Sequence, residues 1–211
     1  STEQYRLKII ENLTEVPPVD WDALLPSDAS PFLKHVFLST LEETGCVGGD
    51  TGWQVAHLGL YQADRLIGAM PLYLKQHSYG EFVFDWSWAQ AYQQQGMQYY
   101  PKALCAIPFT PVQGSRILCA PNQASSQIQS QIITGLKSII LQNQLSSAHI
   151  LFPPNEQIEA LVEQGFMLRD SVQFHWHNQE FSSFEQFLSA LTMKRRKNIR
   201  REREQVLRSR S

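Results

Sequence analysis

The chain has 211 residues, of which 43% are hydrophobic and 18% charged, and its formal net charge is −2. A chain of this length and composition can bury one large core, which excludes extensive disorder. Residues 194–211 hold nine Lys and Arg against two Glu, whereas the other 193 residues hold nine basic against eighteen acidic side chains, and this division excludes a uniformly basic nucleic-acid binder.

Three cysteines, Cys46, Cys105 and Cys119, are an odd number at spacings that fit neither a disulfide framework nor a zinc site. The first residues lack the charged-then-apolar order of a signal peptide, and no apolar run approaches the roughly 18 residues that would cross a bilayer. We therefore expect a cytoplasmic protein without a membrane span.

The first half of the chain predicts strands with one helix. The expected elements are a strand over "YRLKIIENL", a helix through "PFLKHVFLSTLEETG", and a hairpin over 53–76 that turns between Gln62 and Arg65. Residues 80–111 are rich in aromatic, Pro and Gln residues without a sustained period. Such a composition suits the wall of a groove.

The second half predicts a β-α-β-α-β order. Its expected elements are strands at "RILCAP", "SAHILFP" and "FMLRDSVQFHWHN", and helices at "ASSQIQSQIITGLKSIILQNQ" and "NEQIEALVEQG". Ser125 or Ser126 is expected to cap the first helix and Asn155 the second. The fold class is therefore α/β, with a mixed sheet flanked by helices.

A basic helix is expected at the end of the chain. Ser182 and Glu185 have the spacing of a capping box, and the apolar residues that follow have helical spacing. The run "KRRKNIRRER" continues the same pattern, with a narrow stripe around Ile199 and Val206 and a broad cationic face. Such a helix suits either an RNA phosphate backbone or a folded neighbour, and the apolar stripe favours the neighbour.

The order of elements and the segments "RLIGAMPLYL" and "EALVEQGFMLRD" resemble the GNAT acyltransferase fold. With "SFEQFLSALTMKRRKNIRREREQV", "IPFTPVQGSRIL" and "VQFHWHN" added, the chain resembles the bacterial FemAB-like relatives of the Fem peptidoglycan aminoacyltransferases. The resemblance implies tandem GNAT-like lobes. On this basis we expect residues 1–181 to form the first lobe and residues 182–211 an amphipathic and then basic helix that leads towards a second lobe, which we expect to be absent from this chain.

The resemblance also implies the chemistry. It indicates transfer of an acyl or aminoacyl group to an amine, with a peptidoglycan precursor as one expected acceptor and with acyl-CoA or an aminoacyl-tRNA as the donor. One segment departs from the family pattern, because "PNQASSQ", at the position of the GNAT pyrophosphate loop, contains no glycine.

Two residues are candidate bases for the attacking amine. His175 lies in "VQFHWHN", where strand alternation would put Gln173, His175 and His177 on one polar face, and imidazole titrates near neutrality. Asp85 lies in "FDWSWAQAY" and could take the amine's proton. The alternatives are surface histidines, a two-histidine metal site, which lacks further ligands at a recognisable spacing, and a helix-capping Asp85.

The remaining candidates are binding residues. Aromatic faces suit an amine-bearing or sugar-bearing acceptor, and Lys or Arg can hold phosphate or carboxylate. The expected substrate-binding residues are Trp86, Trp88, Tyr92, Tyr100, Lys102, Arg116, Gln173 and His177, and the expected donor- or nucleic-acid-binding residues are Lys197, Arg200 and Arg201. No metal ligand set is expected.

A different functional class fits the same residues. The aromatic segment could bind a cell-wall precursor, or the basic helix RNA, without catalysing a reaction. The structural alternatives also stay open: the aromatic residues could belong to the core, and the charged ones could be solvated loop residues.

Overall fold

The computed structural model describes residues 5–83, 85–121, 123–170 and 172–209. The chain divides into two compact units, the first extending to Leu168 and the second beginning at Arg169. Each unit is described by itself.

The first sheet of the first unit is antiparallel. Its strands are β1 (Tyr5–Ile10), β3 (His57–Gln62), β4 (Arg65–Met70) and β7 (Leu118–Cys119), in the order β1-β3-β4-β7. The turn between β3 and β4 contains Ala63, whose φ of 52° is left-handed, and Asp64. The predicted hairpin turn is confirmed.

The second sheet is mixed. It contains β2 (Trp53–Val55), β5 (Tyr73–Lys75), β6 (Lys102–Cys105) and β8 (Ala148–Ile150), in the order β2-β5-β6-β8, with β6 and β8 parallel. The predicted hairpin over 53–76 contributes to both sheets: its inner strands, β3 and β4, belong to the first sheet, and its outer strands, β2 and β5, belong to the second. The two arms pass from one sheet to the other near Ala56 and Leu72, which share a backbone hydrogen bond of 3.0 Å. The predicted α/β class is confirmed, with two sheets in place of one.

Helices flank these sheets. They are α1 (Pro18–Asp22), α2 (His35–Glu43), α3 (Trp86–Gln94), α4 (Ser125–Gln142) and α5 (Asn155–Glu163), with short 3-10 turns at Leu13–Glu15, Pro31–Leu33 and Gly49–Thr51. Helix α4 lies against the first sheet because its apolar stripe, which includes Ile128, Ile132 and Leu136, is fully buried in the main core. A smaller cluster around Trp53 and Tyr73 fills the region beside the second sheet.

Two predicted helix caps are wrong. The residue before α4 is Ala124 and the residue before α5 is Pro154, and neither provides a side-chain cap. Ser125 and Asn155 are instead the first residues inside their helices. A polar residue near a helix start therefore locates the N-terminus of the helix to within a residue or two, but it does not identify the capping residue.

The predicted strand over 166–178 is wrong for the residues that the structure describes. Residues 166–170 and 172–178 are in no strand, and Ser171 lies outside the described residues. Apolar alternation alone does not make a strand, because the backbone also needs a partner for its hydrogen bonds. Phe174 is 98% exposed, so the apolar face of this segment is not buried.

The second unit contains α6 (Phe184–Ser189) and α7 (Met193–Arg208), so the predicted basic helix is present. The capping box lies one residue later than predicted: Ser183 Oγ accepts a hydrogen bond from the Gln186 amide, and Gln186 Oε1 accepts one from the Ser182 amide. Arg200 pairs with Glu185 at 2.6 Å, so part of the cationic face is bound within the unit. Within the part of the chain that the structure describes, no helix is long and apolar enough to cross a bilayer.

Candidate functional site

The most concentrated polar chemistry of the first unit surrounds Lys102, the first residue of β6. Its ammonium lies 2.6 Å from Asp85 Oδ2 and 2.8 Å from Glu81 Oε2, and it donates a hydrogen bond of 2.9 Å to Ser78 Oγ. All four residues are buried, so these charge-assisted contacts are made away from water. One cation therefore fixes three points of the segment between β5 and α3.

A second buried lysine shares the same carboxylate. Lys75 ends β5, and its ammonium lies 3.4 Å from Glu81 Oε1 and 3.7 Å from the centroid of the Trp53 ring. Burial lowers the pKa of Lys75 to about 8, although Glu81 opposes that shift. Burial also raises the pKa of Glu81, and its two lysine neighbours reduce the effect.

Asp85 immediately precedes α3, and burial and hydrogen bonding combine differently in setting its pKa. Burial acts to raise the pKa of its carboxyl, but hydrogen bonds from Lys102 and Tyr99 outweigh burial and hold the pKa below its usual value. Oδ2 receives both hydrogen bonds, and Oδ1 has no hydrogen-bond partner among the described residues. Asp85 is therefore an ionised carboxylate held firmly by its neighbours.

We define the buried network as Lys75, Ser78, Glu81, Asp85 and Lys102. Two tyrosines connect this network to the surface. The Tyr99 hydroxyl donates to Asp85 at 2.7 Å, and the Tyr100 hydroxyl is 2.7 Å from Ser78 Oγ. Both hydroxyls thus point inward, whereas the tyrosine residues themselves line an open groove. The network fixes the orientation of the rings that form this groove.

His149 lies beside Tyr99. Its Nε2 is 3.5 Å from the Tyr99 hydroxyl and 3.0 Å from Ser147 Oγ. The burial of Tyr99 and its bond to Asp85 raise the pKa of the phenol. Tyr99 therefore remains a neutral hydrogen-bond donor.

The groove has a volume of about 460 Å³ and runs along α3. Its lining includes Trp86, Gln90 and Gln93 from the helix, and Met97, Tyr99 and Tyr100 from the segment that follows. Trp86 is half exposed and packs edge-on against Tyr79 at a centroid distance of 5.5 Å. Aromatic rings with a few amides form a surface suited to a small polar ligand.

The structure brings together four of the predicted site residues: Asp85, Trp86, Tyr100 and Lys102. Tyr92 joins them indirectly, because its ring packs edge-on against Tyr99 at 5.2 Å. Trp88 is on the same helix but outside the groove lining, and it is as exposed as Trp86.

Arg116 is separate from this group. Its guanidinium is buried and donates to the carbonyls of Leu151, Gly114, Ser115 and Val112 at 2.5–3.2 Å. Burial lowers the pKa of Arg116. In this structure its hydrogen bonds tie loops together.

The other predicted residues belong to the second unit. His175 Nε2 lies 3.2 Å from Gln173 Oε1, and the rings of His175 and His177 stack at 6.3 Å. These residues are exposed, as are Lys197, Arg200 and Arg201 on α7. Within the described residues, no cluster of three or more His, Cys, Asp or Glu could hold a metal ion.

Sequence reasoning missed Lys75, Ser78, Glu81, Tyr99 and His149. One usable signal was present in the strand "YLK", where Lys75 shares a face with Tyr73, a residue of a strongly apolar segment. A lysine on the inward face of a strand requires a buried counterion, which indicates a charge network.

Comparisons with known proteins agree with the sequence resemblance. A family model described as FemAB-like, peptidoglycan biosynthesis/recognition, matches residues 12–210. No curated protein matches the chain significantly.

Several solved structures align with the chain at a distance. The ribosomal-protein-alanine N-acetyltransferase of Brucella melitensis biovar Abortus 2308 is 12% identical with a TM-score of 0.48, and the match covers 83% of this chain and 99% of that one. The aminoglycoside N-acetyltransferase AAC(6')-Iy, in complex with a bisubstrate analogue, is 15% identical with a TM-score of 0.49 over the same shares. AAC(6')-IG of Acinetobacter haemolyticus is 15% identical with a TM-score of 0.44, again over 83% and 99%.

These structural likenesses are distant, whereas the family match spans nearly the whole chain, including the buried network, the groove and the basic helix. The chain belongs to the FemAB-like family.

Proposed function

We propose that this chain is an N-acyltransferase that transfers an acyl group to an amine, with the acceptor held in the groove along α3. The observation that carries the proposal is the family match over residues 12–210, which includes every residue of the groove and of the buried network. The family description supports a peptidoglycan precursor as the acceptor.

The proposed reaction forms one bond and breaks another. The acceptor's amine nitrogen attacks the carbonyl carbon of the donor and forms an amide, the bond from that carbon to the donor breaks, and a base takes the amine proton. Backbone amides would stabilise the developing oxyanion.

His175 and Asp85 remain the candidate groups for the proton. Asp85 is ionised, but it is fully buried, Lys102 and Tyr99 bind its Oδ2, and its lowered pKa makes it a weak base. His175 is exposed and belongs to the second unit, and its role as the base stays a prediction. Asp85 instead holds Tyr99 in position.

We propose acyl-CoA as the donor and aminoacyl-tRNA as the alternative to be tested beside it. Both are polyanions, and α7 offers Lys197, Arg200 and Arg201 for phosphate contacts. Both donors are made in the cytoplasm, so we place the reaction in the bacterial cytoplasm.

A specific observation favours a second candidate, a binding module without catalysis. The charged residues nearest the groove in sequence, Lys102 and Asp85, are buried and paired with one another, and every described residue that lines the groove is uncharged. A groove of this kind can bind a precursor without transferring anything to it.

The test is a mass-spectrometric assay for a new amide. The chain is incubated with acetyl-CoA or an aminoacyl-tRNA pool, together with amine-bearing peptidoglycan fragments, and thermal melting verifies that the protein is folded. The proposal predicts acceptors whose mass has increased by the donor's acyl group. If acceptors bind the folded protein but never gain that mass, the transferase assignment is wrong and the chain is a binding module.

A further inference from the structure

We propose that the groove along α3 recognises an uncharged saccharide, specifically the acetylated amino-sugar portion of its ligand. This inference deepens the acceptor site and rests on the proposed function. It concerns which chemical group enters the groove, and its test requires no turnover.

The charge of the groove lining limits which ligands can bind there. Every residue that lines the groove, among those that the structure describes, is uncharged. The two lysines closest in sequence to its walls, Lys75 and Lys102, are buried and paired with Glu81 and Asp85. A phosphate, carboxylate or ammonium placed in the groove would lose hydration without gaining a counterion, which disfavours charged ligands.

The second argument is the orientation of the aromatic rings. The hydroxyls of Tyr99 and Tyr100 are bound inward to Asp85 and Ser78, so the partly exposed Tyr100 presents mainly ring surface to the groove, and the buried Tyr99 lies behind it with only a small exposed edge. Trp86 adds a half-exposed indole, and its contact with Tyr79 restrains the ring. A pyranose ring has an apolar face of C–H groups that packs on such a platform, at a low entropic cost because the rings are already fixed.

The third argument is the set of available polar groups. Gln90, Gln93 and Gln98 line the groove, and their side-chain amides are exposed and make no hydrogen bond within the described residues. Each amide offers both a donor and an acceptor. Sugar hydroxyls and an N-acetyl group need both, whereas an anion needs donors alone.

The volume is consistent with such a ligand. About 460 Å³ lies within the range of small-molecule sites, and the open form admits one portion of a longer molecule. The remainder of that molecule, including any charged peptide or pyrophosphate, would extend outside the groove.

The test is isothermal titration calorimetry of the 211-residue chain with three probes. They are an N-acetylglucosamine oligomer, which is neutral, its deacetylated cationic form, and an anionic nucleotide-diphosphate sugar. We expect the neutral oligomer to bind with an affinity that changes little with salt. Tighter binding of either charged probe, weakened by added salt, would overturn the inference.

Matched variants locate the binding. Trp86→Ala is expected to weaken binding of the neutral oligomer roughly tenfold, and Gln93→Leu roughly threefold to tenfold. Trp88→Ala and Gln94→Leu make the same substitutions on the same helix outside the groove, and their affinities should stay within about twofold. Equal effects of the groove variants and their controls, with every protein folded by thermal melting, would also overturn the inference.

The outcomes separate this inference from the proposed function. Trp86-dependent binding of the oligomer without any acyl transfer would remove the transferase assignment and leave the saccharide site. Acyl transfer to a sugar-free amine, with no binding of the oligomer, would remove the saccharide site and leave the transferase.

Discussion

The ammonium of Lys102 lies 2.6 Å from Oδ2 of Asp85, and both side chains are fully buried. The same carboxylate oxygen accepts the hydroxyl hydrogen of Tyr99, a residue that lines the groove. A charge pair in the interior thus positions a buried aromatic ring at the edge of the groove. The first prediction tests that pair.

Replacing Lys102 with Met should lower the free energy of unfolding by about 3–5 kcal/mol, because Glu81 and Asp85 would lose a counterion while staying buried. Urea denaturation measures the change. Adding Asp85→Asn to the same protein should recover part of the loss, since one uncompensated charge is removed. A loss below about 1 kcal/mol, typical of a surface pair, would contradict the described burial.

Lys75 should make stability depend on pH in the alkaline range. Its pKa is about 8 in the folded protein, because burial disfavours the charged form, and about 10.4 in an unfolded chain. Between these values the unfolded state binds a proton that the native state lacks, so the free energy of unfolding rises with pH. This contribution of Lys75 to the free energy of unfolding is roughly 3 kcal/mol at most, and it is lost as the pH falls through 8.

The measurement compares the wild-type chain with Lys75→Met from pH 7 to 10. Burial raises the pKa of Cys105 to about 12 and that of Cys119 to about 11, and these thiols change stability in the opposite direction. Both proteins contain them, so the difference between the two curves isolates Lys75. Parallel curves would show that Lys75 keeps its ordinary pKa.

Two of the three thiols, Cys46 and Cys105, should react with an alkylating reagent in a defined order. Cys46 is exposed, whereas Cys105 is fully buried and has a raised pKa. Because the thiolate is the reactive form, mass spectrometry of the native protein should find Cys46 modified first and Cys105 only after unfolding. Rapid modification of Cys105 in the folded chain would show that β6 is accessible.

Gly135 of α4 should not tolerate a methyl group. A Cβ at this position would lie 2.1 Å from Cδ2 of Leu7 on β1, so either the Leu7 side chain must change its rotamer or the helix and the strand must move apart. Gly135→Ala should destabilise the protein by about 1–3 kcal/mol, despite the better helix propensity of alanine. Thermal melting measures the loss.

The matched control for this contact changes the other partner. In a Leu7→Ala background the added methyl has room, so the same Gly135→Ala substitution should cost much less. An equal cost in both backgrounds would mean that the clash with Leu7 is not its cause.

The elements that sequence predicts best are those with a local signal. The apolar stripe through Ile128, Ile132 and Leu136 predicts α4, and the two residues between Gln62 and Arg65 predict the β3–β4 turn. The FemAB-like membership likewise follows from quoted segments. In each case neighbouring residues are sufficient for the prediction.

The site required contacts that are distant in sequence. Lys102 and Glu81 are 21 residues apart, and Tyr99 and His149 are 50 apart, so no local spacing relates them. The predicted strand at 166–178 was wrong in its described residues for a related reason, because strand formation depends on a partner elsewhere in the chain. Asp85, Trp86 and Tyr100 were predicted from composition, and Lys102 from its charge, but their mutual geometry was not.

The most direct test of the central claim is kcat/KM for acyl transfer to an amine-bearing peptidoglycan fragment, measured with Trp86→Ala and Trp88→Ala. The two tryptophans lie on one helix with equal exposure, and only Trp86 lines the groove. If the acceptor binds there, Trp86→Ala should lower kcat/KM roughly tenfold and Trp88→Ala by less than about twofold. Equal values for the two folded variants, or no transfer by the wild-type chain, would contradict the account.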